Sequence, residues 1–541
     1  VSETASAVGG SGTPDGELST EVLVVGFGAA GASAALEARA AGAEVLVVDR
    51  FNGGGATAIS GGIIYAGAGT SVQRAAGVQD TAEGMLTYLR AEVGDAVRPE
   101  TLQRFVDTSP AMIDWLSEHG VPFDASVCPY KTSYPNNRYY LYYSGSEASG
   151  AFRDLTPPVQ RGHRAKGRGA SGKKVFGPLA ASVQRSGARI RLHTRVTGLI
   201  VEDGRVVGAE AVTLADAPAR ISRRFARMAA LAAKPGIYYP PMRRVLESRM
   251  ARLEAKFGRR IRIRASKGVI LSAGGYIANT EMIATHAPQF AGGLALGTTG
   301  DDGAAIAMAV AAGGVTDHLD DVSAWRFITP PSAFFGAIVV DEQGNRMIDE
   351  SRYGAALGRT LVRDHDGRGW ILADAATMRT AARQLPRESL WFQLVLTLGL
   401  VSAGRVRGKT LAEVAGKAGI DAAGLTATVA AHNAALAQGN PDPMGKPADF
   451  TRVIGDGPYT LLDISVRPSV IYPCPMFTLG GVRVDEETGE VTTADGAPIR
   501  GLYAAGRTAV GICANSYVSG LSISDCVFSG RRAGAHAAAQ P

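Results

Sequence analysis

Gly26, Gly28 and Gly31 stand directly after the apolar run Val22–Val25 and before an Ala-rich stretch that ends near Ala41. A glycine at the first position permits a tight turn, and at the second it lets backbone approach a pyrophosphate. At the third it lets a helix pack closely on its strand. The helix that follows, with Ala29 and Ala30 in its first turn, presents backbone N–H groups and a positive dipole end to phosphate. Asp49, 18 residues beyond Gly31 and followed by Arg50, closes a second expected strand from Glu44 to Val48. That is about where a carboxylate receives ribose hydroxyls. The chemistry is dinucleotide binding, and it rests on strand, helix, second strand and terminal acid together.

The elements that must position these residues form a parallel βαβ unit of about 28 residues. The loop after it reads Gly53-Gly54-Gly55-Ala56-Thr57-Ala58-Ile59-Ser60-Gly61-Gly62. Two glycine clusters around small hydroxyl residues suit a loop laid along a diphosphate and a flat ring. Val269–Gly275 is a strand that ends in small residues, among them Ala273 and Gly274. Gly501–Arg507 repeats that design and ends on Gly506 and Arg507. From Ala188 to Val212 apolar and polar residues alternate about a turn at Asp203-Gly204, which predicts an antiparallel hairpin. Val196 in this hairpin is assigned to the cofactor site.

The 541-residue length exceeds what one core fills, so two units are expected. The composition, 46% hydrophobic and 20% charged, is that of an ordinary globular chain, but the 68 glycines are unusual. Cys128, Cys474, Cys513 and Cys526 form no CxxC or Cys/His cluster, which argues against a metal, iron–sulfur or disulfide framework. Residues 1–19 read as a disordered tail without the pattern of a secretory signal. The uncharged run Leu390–Gly404 is too short to span a bilayer. The expected location is cytoplasmic. The net charge of +6 is uneven, with fifteen Lys/Arg against two Glu between Arg220 and Lys267. Apolar residues recur there at helical spacing, so two amphipathic helices, broken at Pro235, Pro240 and Pro241, are expected as an insertion at about 218–264. Such a hairpin either lies on an anionic membrane surface or packs its apolar stripe on its own protein.

The order GxGxxG, acid, GG-x-AT-x-x-SGG, LSAGG, TGDDG (Thr299–Gly303) and LYAAGR resembles the fumarate reductase and succinate dehydrogenase flavoprotein superfamily. The resemblance implies an α/β fold: a Rossmann-type FAD-binding domain built from both chain ends, with an inserted α+β catalytic domain. The expected boundaries are 20–314 and 479–541 for the first and 315–478 for the second. It also implies FAD. Covalent relatives tether FAD through a His in the loop before the second glycine pair. Ala56–Ser60 holds none, so FAD is expected to be non-covalent.

The superfamily's dicarboxylate enzymes hold a dianion with His and Arg at three motifs, and this sequence departs at each. Met476 and Phe477 precede Thr478-Leu479-Gly480-Gly481, no Arg stands in Asn515–Gly520, and the expected Arg position falls on Gly354. A neutral substrate follows. Tyr353, Tyr517 and Ser519 stand in place of the cations, which resembles the flavin 3-ketosteroid dehydrogenases. Tyr517-Val518-Ser519-Gly520-Leu521-Ser522 is most similar to their Δ4-(5α) branch. The resemblance implies that tyrosines polarise the 3-keto oxygen and take a proton while a ring hydride passes to flavin N5. It assigns Gly520, Leu521 and Ser522 to the cofactor site. Which tyrosine is the base stays open, and Arg352 is an alternative donor to Tyr353. Tyr134, Tyr139, Tyr140, Tyr142 and Tyr143 are left outside the site. The expected partners are a steroid, an external quinone-like electron acceptor and no nucleic acid, with peripheral membrane contact as one reading of the basic stretch. The alternatives are Δ1 desaturation, reduction of another neutral enone, and an electron-relay subunit.

Overall fold

The computed structural model describes residues 16–467 and 472–541. Strand β1 (Glu17–Val25) leads into α1 (Ala29–Ala40) and β2 (Val45–Asp49). β1 begins five residues earlier than the apolar run suggested, and Glu17–Thr20 pair with Arg262–Ala265. That overturns the expected tail at residues 17–19. Its segment 1–15 lies outside the described residues. The chain continues through β3 (Arg189–Leu192), the hairpin β4 (Thr194–Glu202) and β5 (Arg205–Thr213), the helices α2 (Ala219–Tyr238) and α3 (Pro240–Phe257), and β6 (Arg259–Leu271). The basic insertion is therefore a helical pair, as its spacing predicted. Pro235 does not break it but lies inside α2, and the chain turns at Tyr239 instead.

Next come β7 (Val322–Ala324), β8 (Ile338–Val340), α4 (Gly354–Asp364), β9 (Trp370–Ala373), α5 (Ala375–Glu388), α6 (Trp391–Ala403), β10 (Arg405–Gly408), β11 (Tyr459–Asp463) and β12 (Pro475–Thr478). β8, β9, β11 and β10 form an antiparallel sheet in that order, with its own cores. β7 pairs antiparallel with β12. The chain then returns through β13 (Glu490–Thr492) and β14 (Pro498–Ala504) to α7 (Leu521–Ala539).

The main sheet runs β13-β14-β6-β1-β2-β3, with β5 joining β6 and β4 joining β5. Its parallel centre is Val, Ile and Leu rich because helices cover both faces. β14 pairs parallel to β6, with Leu502 opposite Val269, so both chain ends build one sheet. Helix α7 packs on α1. Gly530 and Gly534 make this contact possible, since a Cβ on either would meet the Ala30 or Ala34 carbonyl at 2.3 or 2.2 Å. The C-terminal ends of β1 and β6, the N-termini of α1 and α7 and the β7–β12 pair thus face one cavity.

Candidate active site

That cavity has a volume of about 2130 Å³. One end is built of backbone and small side chains. Gly26 holds φ +101°, and a Cβ there would meet the Ser272 carbonyl oxygen at 2.6 Å. A Cβ on Gly31 would meet the Gly26 carbonyl oxygen at 2.0 Å. The turn therefore requires glycine at both positions. Gly28, Ala29 and Ala30 line the cavity, as do Gly55–Thr57, Ser60–Gly62, Val196, Ala273, Gly274 and Gly506. The Thr57 hydroxyl accepts the Ala29 N–H at 3.1 Å and ties the two loops together. Gly31, Gly54 and Leu521, assigned to this site from sequence, do not reach the cavity. Gly31 sits behind the turn, Gly54 packs on Ala58 and Phe176, and Leu521 is buried. A cradle of small residues at a helix N-terminus fits a dinucleotide. No His lines the cavity among the described residues.

Two charged residues assigned to the cofactor site line the cavity and already hold protein partners. Asp49 lines the cavity, yet its carboxylate already accepts the backbone N–H groups of Phe27 (2.9 Å), Phe51 (2.7 Å) and Gly53 (3.3 Å). It shapes the glycine loops, with one lone-pair position left for a ribose hydroxyl. Arg50 is bound bidentately by Glu254 of α3, at 2.9 and 3.0 Å, and by Asp302 at 3.3 Å. Phe51 stacks on Phe225 with ring centroids 6.1 Å apart, and Asn52 donates to the Ala226 carbonyl. The insertion turns Ile221, Phe225, Met228, Leu246 and Met250 into one apolar cluster. Its stripe packs on its own protein, and Ala229, Ala233 and Glu254 form part of the cavity wall. Glu254 has no local motif, so nothing in the sequence pairs it with Arg50.

The other end is aromatic. Trp325 stacks on Tyr517 with centroids 5.7 Å apart, and Phe477 meets the same ring edge-on at 4.9 Å. Tyr353 lies 5.4 Å from Phe327 and 6.3 Å from Tyr517. The fold brings Tyr353, at the N-terminus of α4, together with Tyr517 and Ser519, before α7, and all three line the cavity. The Gly520 N–H donates to the Tyr517 hydroxyl oxygen at 3.2 Å. Burial drives both tyrosines' pKa values up. The Gly520 N–H and the Ser519 hydroxyl oppose this at Tyr517, and Ser519 opposes it at Tyr353. Arg352, the alternative donor, instead lies over the Phe152 ring at 5.4 Å and does not line this cavity.

Tyr142 is a residue the sequence reading left aside. It is fully buried, and its hydroxyl donates to Ser519 Oγ at 3.4 Å from behind the cavity wall. Nothing marks it out within a run of five tyrosines. The cationic side chains near the aromatic end are already engaged. Arg326 donates to the Tyr472, Pro473 and Ser465 carbonyls. Arg507 pairs with Asp301 at 2.6 Å and lies over Phe477. The aromatic end therefore suits a flat, neutral molecule with one polar group near the tyrosines.

A family model described as an FAD binding domain matches residues 21–520. The chain is 37% identical to the 3-oxo-5-alpha-steroid 4-dehydrogenase of Comamonas testosteroni, over 90% of this chain and 92% of that one. It is 27% identical to a 3-oxosteroid 1-dehydrogenase of Mycobacterium tuberculosis, over 92% and 94%. Among solved structures it matches 3-ketosteroid-delta4-(5alpha)-dehydrogenase from Rhodococcus jostii in complex with 4-androstene-3,17-dione. That match has a TM-score of 0.80 and 30% identity and covers 97% of both chains.

Proposed function

The chain belongs to the FAD-binding domain family, and from that premise we propose that it is a 3-oxo-5α-steroid 4-dehydrogenase with non-covalent FAD. The observation that carries this reading is the meeting of Tyr353, Tyr517 and Ser519 at an aromatic cavity end whose neighbouring cations, Arg326 and Arg507, are already engaged. Bound FAD supplies a two-electron acceptor for the hydride that leaves ring A.

The residues account for the rest. A hydrogen alpha to a ketone is acidic only when the developing enolate oxygen is stabilised, so an O–H donor at that oxygen matters most. Tyr353, held neutral by burial, is the donor. Tyr517 is the base, because the Gly520 N–H at the N-terminus of α7 stabilises negative charge on its oxygen. Ser519 positions both hydroxyls and is backed by Tyr142. Trp325, Phe327 and Phe477 hold the flat ring system by apolar burial. The electrons then pass to an external quinone-like acceptor. Among the described residues no helix is long and apolar enough to cross a membrane, and we place membrane contact, where the substrate partitions, at the periphery.

Anaerobic mixing of the FAD-loaded protein with a panel of 3-ketosteroids and dicarboxylates tests this reading. A saturated 5α-3-ketosteroid is expected to bleach the flavin's visible absorbance, and succinate is not. Reoxidation of reduced flavin by fumarate with no response to steroid would contradict it.

A further inference from the structure

Helix α6 leaves an apolar face in solvent. Trp391, Val395 and Leu398, spaced i, i+4 and i+7, are 75%, 60% and 49% exposed, while Gln393, Thr397 and Leu400 are buried on the other side. This face is not remote. Trp391, Phe392, Val395 and Leu396 also line the cavity, so α6 forms part of its rim. With 13 residues, α6 is too short to span a bilayer.

The surroundings of α6 are cationic. Asn136 donates to the Arg387 carbonyl at 2.9 Å, which sets the loop holding Arg138 beside the turn into α6. Tyr134 lies 6.4 Å from Phe392, and its hydroxyl donates to the carbonyls of Gly61 and Gly169. That brings residues 166–174 to the same rim. Arg138, Arg168, Lys173, Lys174 and Arg387 are exposed on these segments and form no ion pair among the described residues. Exposed tryptophan and aliphatic side chains beside unpaired cations match the headgroup region of an anionic leaflet. Trp prefers that depth, and each Lys or Arg near the surface strengthens binding roughly fivefold.

We propose that this rim docks the protein on an anionic phospholipid bilayer, with α6 at headgroup level and the cavity opening toward the lipid. The basic insertion is the competing face, since Tyr238, Tyr239 and Val245 remain exposed near its turn. Most of its apolar stripe, however, is buried in its own cluster, with Leu231 and Val245 left out of it. The use of such docking, entry of a lipophilic substrate from the bilayer, rests on the proposed steroid activity. The docking itself does not.

The test is co-sedimentation of the FAD-loaded protein with steroid-free vesicles, one set of phosphatidylcholine and one of phosphatidylcholine mixed with phosphatidylglycerol. Binding is expected only to the mixed vesicles, weakening as salt rises. Arg168→Glu with Lys174→Glu is expected to weaken it by at least about twentyfold. With steroid supplied in detergent, that variant is expected to turn over at the parental rate. Trp391→Ser with Leu398→Ser is expected to reduce binding, and Trp391 emission in the parent should shift to the blue on adding mixed vesicles. Equal binding to both vesicle types, or unchanged binding in the rim variants, would overturn the proposal. So would loss of binding on Arg223→Glu with Arg224→Glu alone. Because the vesicles carry no steroid, failure here leaves the substrate assignment to its own test.

Discussion

The two ends of the cavity are built on different principles. The dinucleotide end is backbone and small residues from contiguous motifs, where geometry is set by what glycine permits. The aromatic end is side chains from four distant segments: Trp325 and Phe327, Tyr353, Phe477, and Tyr517 with Ser519. Substitutions at the first should therefore act on cofactor retention, and substitutions at the second on turnover with flavin still bound.

The largest effect is expected at the aromatic end. Tyr517→Phe keeps the ring stacked on Trp325 and removes one O–H. It should slow flavin reduction about 10²–10⁴-fold in rapid mixing, as the loss of a positioned general base does, with FAD content unchanged. Loss of FAD from this variant would break the division between the two ends.

A pH series sharpens the same point. Burial raises the Tyr517 pKa above its ordinary value, so the phenolate is a minor species at neutral pH. A base of this kind makes flavin reduction faster as pH rises, by up to about tenfold per unit below its pKa. Tyr517→Phe should flatten that rise. A rate in the parent that is level from pH 6 to 9 would remove Tyr517 as the base.

At the dinucleotide end, Glu254→Gln weakens a bidentate, charge-assisted pair with Arg50. Hydrogen bonds to charged groups contribute about 1.5–3 kcal/mol each. FAD should therefore dissociate roughly tenfold more readily, as read by the rise in free-flavin fluorescence. The rate of reduction in the loaded fraction should not change. Slower reduction at full FAD occupancy would show that the insertion reaches the chemistry.

The smallest effect concerns Tyr142→Phe. It touches the site only through a 3.4 Å contact to Ser519, so turnover should fall a few-fold and FAD retention not at all. A loss as large as that of Tyr517→Phe would make Tyr142 part of the proton path.

The contrast also explains what the sequence revealed. The βαβ unit, the hairpin turning at Asp203-Gly204 and the paired designs at Val269–Gly275 and Gly501–Arg507 were legible because each is a local solution to a local constraint. The start of β1 at Glu17 was not, because Glu17–Thr20 become a strand only by pairing with β6. Asp49 was recognised, but its three backbone donors depend on how the glycine loops fold over it. Tyr353, Tyr517 and Ser519 were singled out only through a resemblance carried by their neighbours, and it is the fold that gathers them at one cavity. Trp325, Tyr142 and Glu254 have no such neighbours, and only the tertiary fold brings Trp325 and Glu254 to the cavity and Tyr142 behind its wall. Helix α6 was legible as an apolar run, though its solvent-facing side was not.

The most direct test of the central claim is a single turnover with a saturated 5α-3-ketosteroid under anaerobic conditions, with the products separated by chromatography. The account predicts stoichiometric flavin reduction and a 4-ene-3-ketone as the product. A 1-ene product, or reduction of the flavin by none of the 3-ketosteroids offered, would contradict it.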